Sequence, residues 1–426
     1  LNILLVSIGS LGDVHPFVGV GQALRERGHC VTLLANDCYA HLARRAGFDF
    51  TSLGSQAEQA ALYSDPEMWH PRRGFGVFAR RMLVPMIRRV YQAIERLRGP
   101  ESIVVASGQC FGARIAHEKL DIPLVTLAYS PSFIRSVHES SLIPGFYLPR
   151  WLPHALKRWQ YKWLDTAILD PMLANETNAL RSELGLPPVR RIMGGWHLSP
   201  TRILAMFPGW FARPQPDWPR HTTLAGFSRY DGQDLAPPAD RLVKFLDAGE
   251  PPIVFTLGSA MSHGARFFSA AIDACQRLGM RGVFVTHADQ CPGELPPNIL
   301  RLEYAPFSWL LPRSAAIVHH GGIGTISHAF AAGVPQIFMP LAYDQFDNSA
   351  RAARLGVGRT LTPTSLQGPR VADELRKLLS SSRVADRCRA VADKMHSEDG
   401  DQRACETIER LIHEPSSRYA YAAEDA

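Results

Sequence analysis

At 426 residues, with 46% hydrophobic and 20% charged residues, the chain is long enough for two hydrophobic cores and too apolar to be disordered. Its net charge of +6 permits an anionic partner such as a nucleotide, an acidic lipid surface or nucleic acid, without choosing among them. The seven cysteines are scattered, with no CxxC pair and no zinc-ligand spacing, which fits reduced thiols in a cytoplasmic protein; no run of roughly 18 apolar residues exists to span a bilayer.

In chain order, Asn2 to Ile8 reads as a buried strand rather than a signal peptide, because no basic flank precedes it and a polar turn follows. "GSLGDVHP" is then a turn, "FVGVGQALRERG" has helical apolar spacing that ends at Gly28, and "CVTLLA" is a second strand, which completes a βαβ unit. The segment 72–98, "RRGFGVFARRMLVPMIRRVYQAIERLR", carries paired arginines on an apolar helical background. It reads either as an ordinary solvated helix face or as a basic stretch lying on an anionic membrane. "SIVVAS" (102–107) and "PLVTLA" (123–128) are strands around the helical "GARIAHEKL". The aromatic-rich segment 138–170 suits an apolar ligand, or else a packed amphipathic helix. A Pro- and aromatic-rich stretch then breaks the periodicity, and four further strands, "PIVFTLGS", "GVFVTH", "AAIVHH" and "PQIFMP", alternate with helical segments. The fold class is therefore α/β, with two Rossmann-like halves. The first domain is expected over 1–215, a linker over 216–240, the second domain over 241–405 and a C-terminal helix and tail over 406–426.

The densest motif is "VHHGGIGTISHAFAAGVPQ" at 318–336. A strand ending at His320, a glycine turn and a helix beginning near Thr325 bring backbone N–H groups and a positive helix end to one point, which stabilises a phosphate or diphosphate. Gly322 and Gly324 let a ligand approach the backbone, and His320 and Thr325 add side-chain donors. Gly322, Gly324 and Ser327 with Asp344 also mimic a dinucleotide fingerprint, although the third glycine is missing. The one Asp-x-Asp triplet, Asp399 to Asp401, follows no strand and reads as a solvated helix start rather than a metal site. The arginines match no nucleic-acid-binding module.

"HHGGIGT…AGVPQIFMPLAYDQFDN" resembles the nucleotide-sugar signature of inverting glycosyltransferases of family 1. "GSLGDVHPFVGVGQAL", "FTLGS", "EYAPFSWLLP" and "EDGDQRACETIERLI" are similar to the same family in the same order. The resemblance implies the GT-B fold, two facing Rossmann-like domains with an inter-domain cleft and a C-terminal helix that returns to the first domain. "DPEMWHPRRGFGV", "GARIAHEK" and "YAPFSWLLP" look most like bacterial rhamnosyltransferases of rhamnolipid synthesis and related natural-product and sterol-type enzymes.

By this resemblance Asp13 is the catalytic base, with His15 as its neighbouring competitor; the alternative role for Asp13 is a helix N-cap. His320, Gly322, Gly324, Thr325, Gly258 and Ser259 hold the diphosphate, while His319 is structural. Tyr304 stacks on the nucleobase and Ala305 reads its edge, although Phe307 replaces the usual glutamine. Asp344 and Gln345 hold the sugar hydroxyls. Tyr129 and Phe133 line the acceptor site. His328 stands where most UDP-sugar members carry a ribose-gripping glutamate, which fits a deoxyribose donor such as dTDP-L-rhamnose. The resemblance thus implies metal-independent hexose transfer from a nucleotide sugar, with no other cofactor, to a hydroxyl of a small lipophilic acceptor such as a hydroxy-fatty acid. UDP-glucose transfer to a sterol, polyketide or phenol is the alternative within the class. An NAD(P)-binding oxidoreductase, or a nucleotide-sugar-binding protein without catalysis, is the alternative outside it. The expected location is the cytoplasm, with peripheral contact at the inner membrane.

Overall fold

The computed structural model describes residues 1–411 apart from 145, 147 and 233–237, so the end of the expected tail (412–426) and part of the linker lie outside the described residues. The first sheet contains β1 (Asn2–Val6), β2 (Cys30–Asn36), β3 (Asp49–Gly54), β4 (Ser102–Ser107), β5 (Leu124–Ala128), β6 (Arg202–Ala205) and β7 (Thr222–Leu224). They pair in parallel in the order β3-β2-β1-β4-β5-β6-β7. The second sheet contains β8 (Ile253–Thr256), β9 (Gly282–Val285), β10 (Ile299–Leu302), β11 (Ala316–His319), β12 (Gln336–Phe338) and β13 (Gly358–Thr360). It is also parallel, in the order β10-β9-β8-β11-β12-β13.

Parallel strands are covered by helices on both faces, which is why β4, β5, β8, β9 and β12 are buried along their whole length. In each sheet the strand order reverses beside the first strand, between β1 and β4 and between β8 and β11. At such a reversal the connecting helices leave on opposite faces and open a crevice at the carboxyl ends of the strands. The first turn of the helix after β1 carries Asp13, and the turns after β8 and β11 carry Gly258 and His320.

The boundary between the domains is later than the sequence pattern indicates. β7 adds Thr222–Leu224 to the first sheet inside the expected linker, and the helix Asp240–Asp247 begins at the linker's end. The two units share an aromatic cluster. Phe211 and Phe227 lie 5.2 Å apart, and Phe330 of the second domain lies 6.0 and 6.1 Å from them. The last helix, Gly400–Arg410, lies on the first-domain helix Leu11–Glu26, where Arg27 pairs with Glu409 at 2.8 Å and Cys405 Sγ donates to the Val20 carbonyl at 3.5 Å. That is the expected return of the C-terminal helix, and it begins before residue 406.

The apolar side of segment 72–98 is turned into the protein. Its helix Val84–Leu97 buries Met86, Ile87, Val90, Tyr91 and Ile94 in the core. Arg73, Arg81, Arg88 and Arg89 are neutralised by Glu67, Asp65, Glu183 and Glu58 at 2.8, 2.9, 2.6 and 3.0 Å. Both the apolar stripe and much of the charge that a bilayer would need are already spent. Among the described residues no helix is long and apolar enough to cross a membrane.

Candidate active site

After β1 the chain turns through Gly9 (φ +124°), where a side chain would collide with the Asp13 carboxylate. Ser10 occupies the N-cap and Asp13 the third helical position, so Asp13 caps in reverse: its Oδ2 accepts from the Ser10 N–H at 2.6 Å and the Ser10 hydroxyl at 2.8 Å. Its Oδ1 accepts from the Tyr129 hydroxyl, which β5 delivers from the next strand but one. Burial pushes the Asp13 carboxyl above the usual carboxylate range, and the bonds from Tyr129 and Ser10 oppose that rise. Tyr129 packs edge-on against Phe133 at 4.6 Å. The His15 ring meets Tyr230 of the inter-domain linker edge-on at 5.4 Å.

On the second domain, His319 is fully buried and structural. Its Nδ1 accepts from the Gly321 N–H at 3.2 Å, so Nε2 carries the proton and donates to Gln336 Oε1 at 3.0 Å. His320 points elsewhere, into a slot between Gly258 and Gly322. A Cβ on Gly258 (φ +81°) would lie 2.8 Å from its ring and one on Gly322 would lie 2.5 Å from its Nε2. Burial lowers its pKa to about 4, so it is neutral at physiological pH, and its buried Nδ1 has no partner among the described residues. The helix Ile323–Ala331 starts from Gly322 with no side-chain cap, leaving its first N–H groups for a ligand. Open space surrounds the Gly324 α-carbon, Thr325 is 9% exposed on the same turn, and Ser259 is exposed.

Asp344 and Asn348 complete the join between the domains. Asn348 Nδ2 donates to Asp344 Oδ2 at 2.7 Å, and Asn348 Oδ1 accepts from Ser130 of the first domain at 2.8 Å. Burial, with the charge of Asp13 adding to it, raises the Asp344 carboxyl to about 6. Gln345 is less available than its neighbour: its Oε1 accepts from the Leu341 and Ala342 N–H groups at 2.9 and 3.1 Å, which leaves only its amide N–H groups for a sugar. Tyr343 crosses to the first domain and donates to the Met68 carbonyl at 2.8 Å.

Tyr304 is 41% exposed, so its ring is not a core aromatic, and its hydroxyl donates to the Asp231 carbonyl of the linker. Asp231 also accepts from the Ser308 N–H at 2.7 Å, fixing the short helix Phe307–Leu310, and Ala305 beside it is buried. His328 is buried beside Phe307 at 6.3 Å and faces Tyr230 and Asp231.

Asp13, Tyr129 and Asp344 thus form one group, His320 and the glycine turns a second, and Tyr304 with the linker a third. Asp399 caps the last helix by accepting from the Gln402 N–H at 3.1 Å, as a helix start should. Asp401 is less solvated than the triplet's polar context indicates, since it accepts from Ser228 at 3.1 Å. No cluster of three metal-ligating side chains occurs among the described residues. In the dinucleotide reading the third small residue is Ser327, whose hydroxyl is tied to the Gly324 carbonyl at 2.8 Å. Ser130, Asn348 and Asp231 went unassigned in the sequence. Asn348 stands at i, i+4 from Asp344, the spacing that puts two side chains on one helix face.

Residues 3–139 match the glycosyltransferase family 28 N-terminal domain, and residues 281–411 match the erythromycin biosynthesis protein CIII-like C-terminal domain. The chain is 28% identical to O-mycaminosyltylonolide 6-deoxyallosyltransferase of Streptomyces fradiae, over 96% of this chain and 97% of that one. It is 26% identical to sterol 3-beta-glucosyltransferase of Pichia angusta, over 95% of this chain but only 33% of that longer protein. Among solved structures, the glycosyltransferase of kitacinnamycin superposes with a TM-score of 0.73 at 22% identity, over 96% of this chain and 99% of the other. The glycosyltransferase VinC in complex with dTDP superposes with a TM-score of 0.67 at 18% identity, over 97% of this chain and 100% of the other.

Proposed function

We infer, from a chain that is a glycosyltransferase of GT-B fold built of a family 28 N-terminal domain and an EryCIII-like C-terminal domain, that it moves a hexose with inversion onto a lipophilic alcohol. The observation that carries this reading is the desolvated Asp13 carboxyl beside Asp344, where the first domain meets the second, in a chain whose second domain holds the His320 ring, its Nδ1 without a partner among the described residues, next to an uncapped helix start. In the proposed step the acceptor hydroxyl gives its proton to Asp13 while its oxygen attacks the anomeric carbon. The bond from that carbon to the diphosphate breaks on the opposite face, and the N–H groups after Gly322, with His320, take up the departing charge. A carboxyl held above its usual range is a stronger base once ionised. Asp344 and the Gln345 amide are assigned to the sugar, Tyr304 to the base, and Tyr129 with Phe133 to the acceptor.

A thymidine diphosphate donor is favoured because His328, in place of a glutamate, is turned toward the linker and offers no carboxylate to a ribose diol. The 6-deoxyhexose in the name of the Streptomyces relative and the dTDP bound to VinC support a dTDP-6-deoxyhexose, with dTDP-L-rhamnose the first to test and a hydroxy-fatty acid the first acceptor. Glucose transfer from UDP-glucose to a sterol or polyketide is the second reading, which the sterol glucosyltransferase relative supports. Thermal shifts with dTDP, UDP, GDP and NAD, each with and without magnesium, separate them, since a ligand of the folded state raises Tm with its affinity. The largest shift is expected from dTDP, unchanged by magnesium. A larger shift from UDP moves the assignment to the second reading, and a shift from NAD alone refutes both.

Tyr129→Phe tests the base. The Tyr129 hydroxyl stabilises the Asp13 carboxylate, so its loss raises the Asp13 pKa further. Because the base works ionised, the acid limb of kcat/KM should move to higher pH while the plateau is largely kept. An unmoved limb would separate Tyr129 from proton transfer.

A further inference from the structure

Seven large hydrophobic side chains are exposed among the described residues, and all except Tyr304 lie in one segment, 142–168. Trp151, Trp159 and Trp163 are 78%, 61% and 48% exposed. The helix His154–Leu164 in this segment is built inside out. Leu156, Trp159 and Trp163, spaced i, i+3 and i+7, face solvent, while Lys157 and Tyr161 face inward and Asp165 follows them in the same register. The two inward charges are paired in place: Lys157 donates to the Val137 carbonyl at 3.0 Å, and Asp165 pairs with Arg135 at 2.5 Å and lies 3.5 Å from Arg191. Turning the helix over would bury the tryptophans and strand those charges, so the outward apolar face is fixed by the fold.

We propose that this face is a docking surface for an anionic lipid bilayer, with the three indoles seated at the headgroup level. Indole is amphipathic and favours the membrane interface, and several exposed in one segment otherwise cost solubility. The charge around them fits such a partner. Arg150, Arg158 and Lys162 are exposed beside the tryptophans, Arg158 and Lys162 make no ion pair among the described residues, and the only acid in 142–168 is the buried Asp165. A second copy of the chain fits less well, because a two-fold contact would set these cations against their own duplicates. The segment leads directly from the cleft: the Leu142 N–H donates to Asp347 of the second domain at 3.1 Å, so a bilayer held here would lie beside the entrance. This inference is independent of the donor and acceptor assigned above.

The test is co-sedimentation of the whole chain with phosphatidylcholine vesicles, with and without phosphatidylglycerol, at low and high salt, read beside indole emission. Binding to the phosphatidylglycerol vesicles with a blue-shifted emission is expected, weakened by salt. Trp159→Ser with Trp163→Ser should lower the bound fraction roughly tenfold or more by removing most of the inserted apolar area. Arg158→Gln with Lys162→Gln should abolish the preference for phosphatidylglycerol. Nucleotide thermal shifts should be unchanged in both, which shows that each variant is folded. No binding at low salt, or equal binding by the tryptophan variant, overturns the proposal. So does a dimer in solution that the tryptophan variant dissolves, since the face then belongs to a second copy.

Discussion

Asp13→Asn is expected to lower kcat by about 10³-fold, the range a positioned general base supplies, with nucleotide affinity unchanged. The amide keeps the size of the side chain, but its single oxygen can accept from Tyr129 or from the Ser10 N–H and not both, and it cannot take a proton from the acceptor. Stability distinguishes this from a folding defect. The Asp13 carboxyl is raised in the folded state, so its contribution to stability is present at low pH and lost as pH rises through the folded pKa. At neutral pH the folded protein therefore holds a costly charge, and removing it should leave Tm unchanged or higher. Because Asp13 also caps its helix through Ser10, the rate carries the test: undiminished turnover in a folded Asp13→Asn would leave Asp13 a structural cap only.

His320→Ala is expected to cost about 10² to 10³-fold in kcat/KM, as for the loss of one donor to a developing anion. The imidazole is held by Gly258 and Gly322 on its two sides rather than by hydrogen bonds, so its removal leaves a void but strands no partner. With a pKa lowered to about 4 it stays neutral through the working range and contributes no pH dependence there, and in the proposed step it serves as a neutral donor beside the helix start. His320→Gln restores an N–H donor and should recover part of the rate, which a purely space-filling role would not require.

Most of the fold is legible in the sequence because central parallel strands are continuous apolar runs. "SIVVAS", "PLVTLA", "PIVFTLGS" and "AAIVHH" all contain strands of the two sheets. The strands that escaped are mainly at the edges. β3, β7, β10 and β13 are outermost, and "DFTSLG", "TTL" and "GRT" are half-exposed, the last two only three residues long, so no apolar run marks them. The glycine-rich turn after β11 is legible for a different reason: close approach to the backbone restricts the residue type itself. Contacts across the cleft are not, because nothing local to Ser130 announces Asn348, which is 218 positions away. The arginine-paired helix of 72–98 misleads in the same way, since the carboxylates that neutralise Arg88 and Arg89 come from other helices. In 142–168 the sequence shows aromatics and cations but not which face turns outward; the buried Lys157 and Asp165 decide that.

The central claim is direct displacement at the anomeric carbon with Asp13 as the base. The most direct measurement is the anomeric configuration of the product, by NMR of its C1 proton, made from whichever nucleotide sugar follows the largest thermal shift, with wild-type protein and Asp13→Asn in parallel. The account predicts a product of inverted configuration from the wild type and almost none from the variant. A product that retains the donor's configuration, or undiminished turnover by Asp13→Asn, would contradict it.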